Sequence, residues 1–287
     1  MVAITGCTVP KPPGNSPLRY RDQVFTGVSK GTDIQYGQAP DANGNPVALK
    51  LDLYQPTGDT ETLRPALVWV HGGSFSGGDK TNIVPVDVAN TFAKQGYVVV
   101  SINYRLLGSN CVANPNGCLV AALEAQHDAQ AAVRWLRANA ATYKIDPTRI
   151  GIGGESAGGI TATLVALRSD DGGDSGNPGF SQRVQAFASI SGGIIGGIFV
   201  DPSDTPAGIF FHGTADRVVP FSWSVDTAAA MREAGHYPYL ERYDGAGHVP
   251  YVQFGAQMFE HTSYYFYWVL GLARADGQTA TAARMAR

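Results

Sequence analysis

The sequence predicts a doubly wound α/β domain, a mostly parallel sheet with helices on both faces. Three observations lead there. From residue 66 onward, unbroken apolar runs of strand length alternate with amphipathic stretches of helical length. The apolar runs lack polar alternation, the mark of strands covered on both faces. The chain has 287 residues, 44% hydrophobic and 16% charged, which fits one sizeable soluble domain without forcing a second.

Along the chain, Pro10, Pro12, Pro13, Gly14 and Pro17 predict an extended, flexible arm over residues 1–19. Short strands are expected at 23–28, 33–36 and 47–54; the last, VALKLDLY, alternates as a half-buried strand does. The turn-rich PDANGNP at 40–46 makes an antiparallel hairpin of this opening. Strands then follow at 66–70 (ALVWV), 97–102 (YVVVSI), 149–152, 184–190 (VQAFASI), 207–211 and 239–243. Helices are expected at about 84–95, 121–143, 156–168, 221–234 and 251–274. Strand, helix, strand in repetition builds a parallel sheet by right-handed crossovers. One domain over residues 20–275 results, with a disordered tail at 276–287. The Gly-rich stretch 192–206 is too short for a helical cap, so the site is expected to be open.

Composition excludes several classes. The formal net charge is -3 and no five-residue basic run occurs, which argues against a nucleic-acid partner. No run of eighteen apolar residues is present, and Tyr264–Leu272 is too short to span a bilayer. No His/Glu cluster has metal-ligand spacing, and Gly151-x-Gly153-x-x-Ser156 lacks the third glycine of a dinucleotide loop, so neither metal nor cofactor is expected. Of the three cysteines, Cys111 and Cys118 bracket the loop CVANPNGC, whose composition favours a local disulfide; Cys7 is left as the odd thiol. A disulfide implies an oxidising compartment, so a secreted or periplasmic location is expected, with the cytoplasm left open. Nothing in the sequence indicates an oligomeric state.

Four segments carry chemistry. Gly154-Glu155-Ser156-Ala157-Gly158 matches G-x-S-x-G between a strand (RIGIG) and a helix. A serine on such a strand-to-helix turn is strained and exposed above the sheet, which makes Ser156 the candidate nucleophile. His71-Gly72-Gly73 follows the strand ALVWV, and its glycines let backbone N–H groups approach a developing oxyanion. Gly72, Gly73 and the N–H of Ala157 are therefore the candidate oxyanion hole. His212-Gly213-Thr214-Ala215-Asp216 and Gly245-Ala246-Gly247-His248 each end a later strand, giving Asp216 as acid and His248 as base in the chain order Ser, Asp, His. Asp244, Asp201 and Asp204 are rival acids. His71 reads as a loop anchor, His212 and Glu155 as structural groups, and Asp128 and Arg134 as a packing and salt-bridge pattern. Ile194, Ile195, Phe199 and Val218 are candidates to line an acyl pocket.

HGG at 71–73, GESAGG at 154–159, HGTAD at 212–216 and GAGH at 245–248 resemble the bacterial carboxylesterase branch of the α/β-hydrolases. LDLYQP at 51–56, NYR at 103–105 and DAQAAVRWLRANA at 128–140 are similar to the same branch. The resemblance covers roughly residues 30–270. It implies an eight-stranded α/β-hydrolase sheet and hydrolysis of carboxylic esters through an acyl-enzyme on small or short-acyl substrates, with acetyl or feruloyl esters of plant polymers among them. HGTAD is also similar to prolyl-oligopeptidase-like peptidases, so a serine peptidase acting on short peptides is the alternative. A non-catalytic binding protein of the same fold is a third reading, and such proteins usually lose one of the three residues.

Overall fold

A computed structural model describes residues 9–107, 115–194, 203–204 and 206–274. Eight strands form one sheet in the order β1-β2-β4-β3-β5-β6-β7-β8. They are β1 (Val28–Pro40), β2 (Pro46–Pro56), β3 (Arg64–Val70), β4 (Val98–Ile102), β5 (Ile145–Glu155), β6 (Ala186–Ile190), β7 (Ala207–Gly213) and β8 (Tyr239–Tyr243). β1 and β2 pair antiparallel, as do β2 and β4; the remaining strands run parallel. The helices are α1 (Ile83–Gln95), α2 (Pro115–Ala138), α3 (Ala140–Tyr143), α4 (Ala157–Leu167), α5 (Phe221–Glu233) and α6 (Tyr251–Val269). This is the doubly wound α/β architecture that the repeating pattern predicts, with the eight strands that the carboxylesterase resemblance implies.

Physical reasons for the layering are visible in β3, where all seven residues are buried. Val68 and Val70 join a core with α2 and α4, while Leu67 and Trp69 join one with α1 and α6 on the opposite face. α4 is buried along its whole length, so it carries no polar face and sits against the sheet centre. No described helix is long and apolar enough to cross a membrane.

Two expectations need correction. The strands expected at 23–28 and 33–36 are one strand, Val28–Pro40, bent by register shifts at Gly31/Ile34 and Gln35/Gly37. Val24 and Phe25 instead donate their amides to the Lys94 carbonyl at the end of α1. The arm expected over residues 1–19 is packed where it is described: Val9 and Leu18 are buried, Trp268 Nε1–H donates to the Pro10 carbonyl at 3.1 Å, and Arg21 donates to that of Pro12 at 2.7 Å. Apolar residues among the prolines and a buried guanidinium explain the docking. Residues 1–8 and the tail at 276–287 lie outside the described residues.

One buried ion pair joins the sheet to its helices. Asp128 in α2 is fully buried and takes the Arg105 guanidinium at 2.8–3.0 Å, the Arg105 amide at 2.8 Å and the Ser175 hydroxyl at 2.7 Å. It clamps the segment leaving β4 to α2. Arg134, further along α2, donates to the carbonyls of Gly172 and Gly176 and has no part in this pair. Asp128→Ala removes the fully buried partner of Arg105 and leaves the guanidinium only the partly exposed Glu124 carboxylate at 2.6 Å, so it is expected to destabilise the fold by about 3 kcal/mol in urea denaturation. A loss below about 1 kcal/mol would show that the clamp is dispensable.

Candidate active site

The parallel strands deliver their C-terminal ends to one edge, and the chemistry-bearing loops leave from there. Ser156 lies between β5 and α4 with φ 55° and ψ −122°, a region costly for any residue with a side chain. The flanking glycines make the turn possible. A Cβ on Gly158 would lie 2.0 Å from the Val70 carbonyl oxygen, and one on Gly154 would lie 2.4 Å from the Gly158 carbonyl carbon. The Ser156 amide donates to the Ile190 carbonyl at 2.8 Å, tying the turn to β6.

His248, after β8, stands across from it. Ser156 Oγ lies 2.8 Å from His248 Nε2, and His248 Nδ1 lies 2.8 Å from Asp216 Oδ2. A carboxylate facing Nδ1 fixes the proton there, so Nε2 is free to accept the serine hydroxyl. The other Asp216 oxygen takes the amides of Val218 (2.8 Å) and Val219 (3.0 Å). Burial opposes the charge on Asp216, but the hydrogen bonds from His248 and these two amides outweigh it and hold the carboxyl below its usual range. The rival acids sit elsewhere. Asp204 is engaged by Ser169 and Arg183, Asp244 pairs with Arg242 at the surface, and Asp201 lies outside the described residues.

The loop after β3 brings a further correction. Gly72, expected to donate to an oxyanion, gives its N–H to Glu155 Oε1 at 2.9 Å. Glu155, next to Ser156 in the chain, has its other oxygen accepting Trp69 Nε1–H at 2.7 Å, so the Gly72 amide is spent on this buried carboxylate. The amides of Gly73 and Ala157 remain of the three that the sequence suggested. Gly73 takes φ 128°, and a Cβ there would collide with the Gly77 carbonyl at 2.1 Å. The loop is braced behind by His71, whose ring stacks on Tyr104 (centroids 4.5 Å apart) and whose Nδ1 lies 2.7 Å from the Gly72 carbonyl oxygen. Burial pushes the His71 pKa down, which keeps that ring neutral and its Nδ1–H donating. Tyr104 returns a bond from its hydroxyl to the His71 carbonyl at 3.1 Å.

Of the residues proposed to line an acyl pocket, Ile194 is buried in the core, with its amide donating to Thr227 Oγ1 at 2.8 Å. Val218 is 58% exposed, two residues past Asp216. Ile195 and Phe199 lie outside the described residues. No group of three or more His, Cys, Asp or Glu side chains among the described residues has the arrangement to hold a metal ion.

Comparison with known proteins agrees with this architecture. Residues 51–192 match the BD-FAE family model. The structure superposes on esterase 2 of Thermogutta terrifontis phosphorylated by paraoxon with a TM-score of 0.67, at 25% identity over 87% of this chain and 96% of that one. The chain thus resembles esterases of the α/β-hydrolase fold. A probable carboxylic ester hydrolase of Mycobacterium tuberculosis is 32% identical over 190 residues, which is 63% of this chain and 38% of the relative. The fumonisin B1 esterase of Sphingopyxis macrogoltabida is 35% identical over 168 residues, 52% of this chain and 30% of the relative. The chain thus spans less than two fifths of the length of either curated relative.

Glu155 leads to a pH prediction for this α/β-hydrolase. Burial raises its carboxyl to about 7, and the bonds from Gly72 and Trp69 offset that only in part. The folded chain then holds a proton that the unfolded chain has released, so stability falls as pH rises from the ordinary 4.5 to about 7 and levels off above. Thermal melts across this window should show wild type losing Tm relative to Glu155→Gln, which has nothing to titrate. Parallel Tm curves for the two would contradict the assignment.

Proposed function

We propose that this chain is a serine carboxylesterase for small or short-acyl esters. The observation that carries this reading is the unbroken line Ser156–His248–Asp216, with both hydrogen bonds at 2.8 Å. In the first step Ser156 Oγ attacks the ester carbonyl carbon while His248 Nε2 takes the hydroxyl proton. The carbonyl oxygen becomes an oxyanion facing the amides of Gly73 and Ala157, and the helix N-terminus of α4 adds the positive end of its dipole. Collapse of the intermediate breaks the bond to the leaving alcohol, whose oxygen receives the proton back from His248. Water then enters, gives a proton to His248 and attacks the acyl carbon; return of that proton to Ser156 Oγ releases the acid. No cofactor enters these steps.

Esters are the favoured substrates because an alkoxide leaves more readily than an amine, and acetyl or feruloyl esters of plant polymers fall within this reading. We further read Cys111 and Cys118 as a disulfide in an exported protein. Cys118 is buried in the first turns of α2, and Cys111 lies outside the described residues. Peptide mapping without reduction should return the two cysteines linked; alkylation of both thiols would end that reading.

The deciding assay is hydrolysis of p-nitrophenyl esters from acetyl to decanoyl. Activity should peak at short chains and fall by about 10⁴-fold or more in Ser156→Ala. The rate should also drop on acidification, as the general base takes up a proton. Turnover of an aminoacyl-naphthylamide without any ester turnover would favour the peptidase alternative.

A further inference from the structure

His212 ends β7, four residues before Asp216, and is fully buried. Its ring packs edge-on against Phe221, with centroids 5.6 Å apart. A phenyl or leucyl side chain would fill such a space as well, so packing alone does not require an imidazole. Its nitrogens, however, have specific partners. Nε2 lies 3.2 Å from Asp216 Oδ2 and 3.0 Å from the Val219 carbonyl oxygen. Nδ1 lies 2.7 Å from Ser224 Oγ, which is itself 2.7 Å from the Gly192 carbonyl oxygen.

Both groups facing Nε2 are acceptors, so the ring proton belongs there. Burial pushes the His212 pKa down, so the ring is neutral and Nδ1 is left to accept. The Ser224 hydroxyl supplies that bond and shares its hydrogen with the Gly192 carbonyl. Asp216 and His248 are the titratable groups whose charges act on His212; Ser224, Val219 and Phe221 are uncharged. The same oxygen of Asp216 therefore faces two imidazoles, His248 at 2.8 Å and His212 at 3.2 Å. With the Val218 and Val219 amides on Oδ1 and His248 on Oδ2, the carboxylate has three hydrogen-bond donors, and the His212 Nε2–H, which also faces the Val219 carbonyl at 3.0 Å, approaches as a shared fourth at 3.2 Å.

We propose that His212 is a positioning residue for the esterase reaction: its Nε2–H holds Asp216 Oδ2 in place and divides the charge of that oxygen between two imidazoles, with Ser224 locking the tautomer. The proposal rests on the esterase reading of Ser156 and His248. Without the His212 bond, Oδ2 acts on His248 alone and favours its imidazolium more strongly. The base then becomes harder to free of its proton, and the acidic limb of the pH profile moves upward. Ser224 stabilises the arrangement from the far side, since a proton on Nδ1 would turn the Nε2 lone pair toward Asp216 and the Val219 carbonyl.

The test is the pH profile of kcat/KM on p-nitrophenyl acetate for wild type, His212→Leu, His212→Gln and Ser224→Ala. In His212→Leu the acidic limb should move up by roughly half a pH unit or more, with a plateau on the order of tenfold lower. His212→Gln restores an N–H donor and should bring the limb back toward wild type. Ser224→Ala, which keeps the ring, should move it in the same direction as His212→Leu. A folded His212→Leu with an unmoved limb, or a His212→Gln that shifts as far as His212→Leu, overturns the proposal. If His212→Leu does not fold by circular dichroism, an unmoved limb in Ser224→Ala overturns it instead. The His248 Nδ1–H proton resonance gives the same comparison without turnover: it should shift in His212→Leu and return in His212→Gln. A wild type that hydrolyses no ester but shows this shift would count against the esterase reading and leave the positioning role standing.

Discussion

The structure depends on a backbone turn that the chain avoids unless its surroundings enforce it. At φ 55° Ser156 holds strain of order 1–3 kcal/mol, and the neighbours supply what keeps it there. Gly154 and Gly158 bring α4 against the end of β3 at distances no side chain would allow, and the Ser156 amide is tied to β6. α4 can lie that close because its whole surface is buried, which in turn demands covered strands on either side. Strand order, crossovers and the fully buried β3 thus serve one local geometry. Val249, a β-branched residue at φ 43° directly after His248, shows that the base is presented from a similarly constrained turn.

Two carboxylates near the nucleophile behave oppositely, and magnitudes decide which is which. Asp216 and Glu155 are both buried and both accept backbone N–H bonds. At Asp216 the hydrogen bonds outweigh burial, and its carboxyl lies below the usual range. At Glu155 burial outweighs the bonds from Gly72 and Trp69, and the carboxyl rises to about 7. One group is suited to face an imidazole and the other to hold a loop. Paired carboxylates separated by environment are a general way to divide chemistry from support.

Much of this was legible in the sequence, and the exceptions share a cause. Strand and helix order followed from runs such as ALVWV and YVVVSI, because burial on both faces removes polar alternation. Ser156, Asp216 and His248 could be put forward because each follows a strand and lies in a Gly- or Ala-containing turn, and the structure brings them into one hydrogen-bonded line. Helix α2 and the NYR segment stood out as patterns, but the partnership of Asp128 with Arg105 depends on tertiary packing across 23 residues. The direction of the Gly72 amide was not legible, because a glycine's φ and ψ are set by contacts 83 residues away at Glu155. Ser224 carried no signal, since its bond to His212 depends on which face α5 turns to the sheet. β1 read short, as residues 33–36, because register shifts at Gly31/Ile34 and Gln35/Gly37 break the alternation from which strands are recognised, and Val24 and Phe25 dock on the end of α1 instead.

The central claim is that Ser156 is the activated nucleophile, and covalent trapping tests it most directly. The chain would be incubated with paraoxon, digested and mapped by mass spectrometry. One diethylphosphoryl group per chain, carried by the peptide containing Ser156 and lost in Ser156→Ala, is the predicted result. A label on another residue, or an undiminished label in Ser156→Ala, would contradict the account.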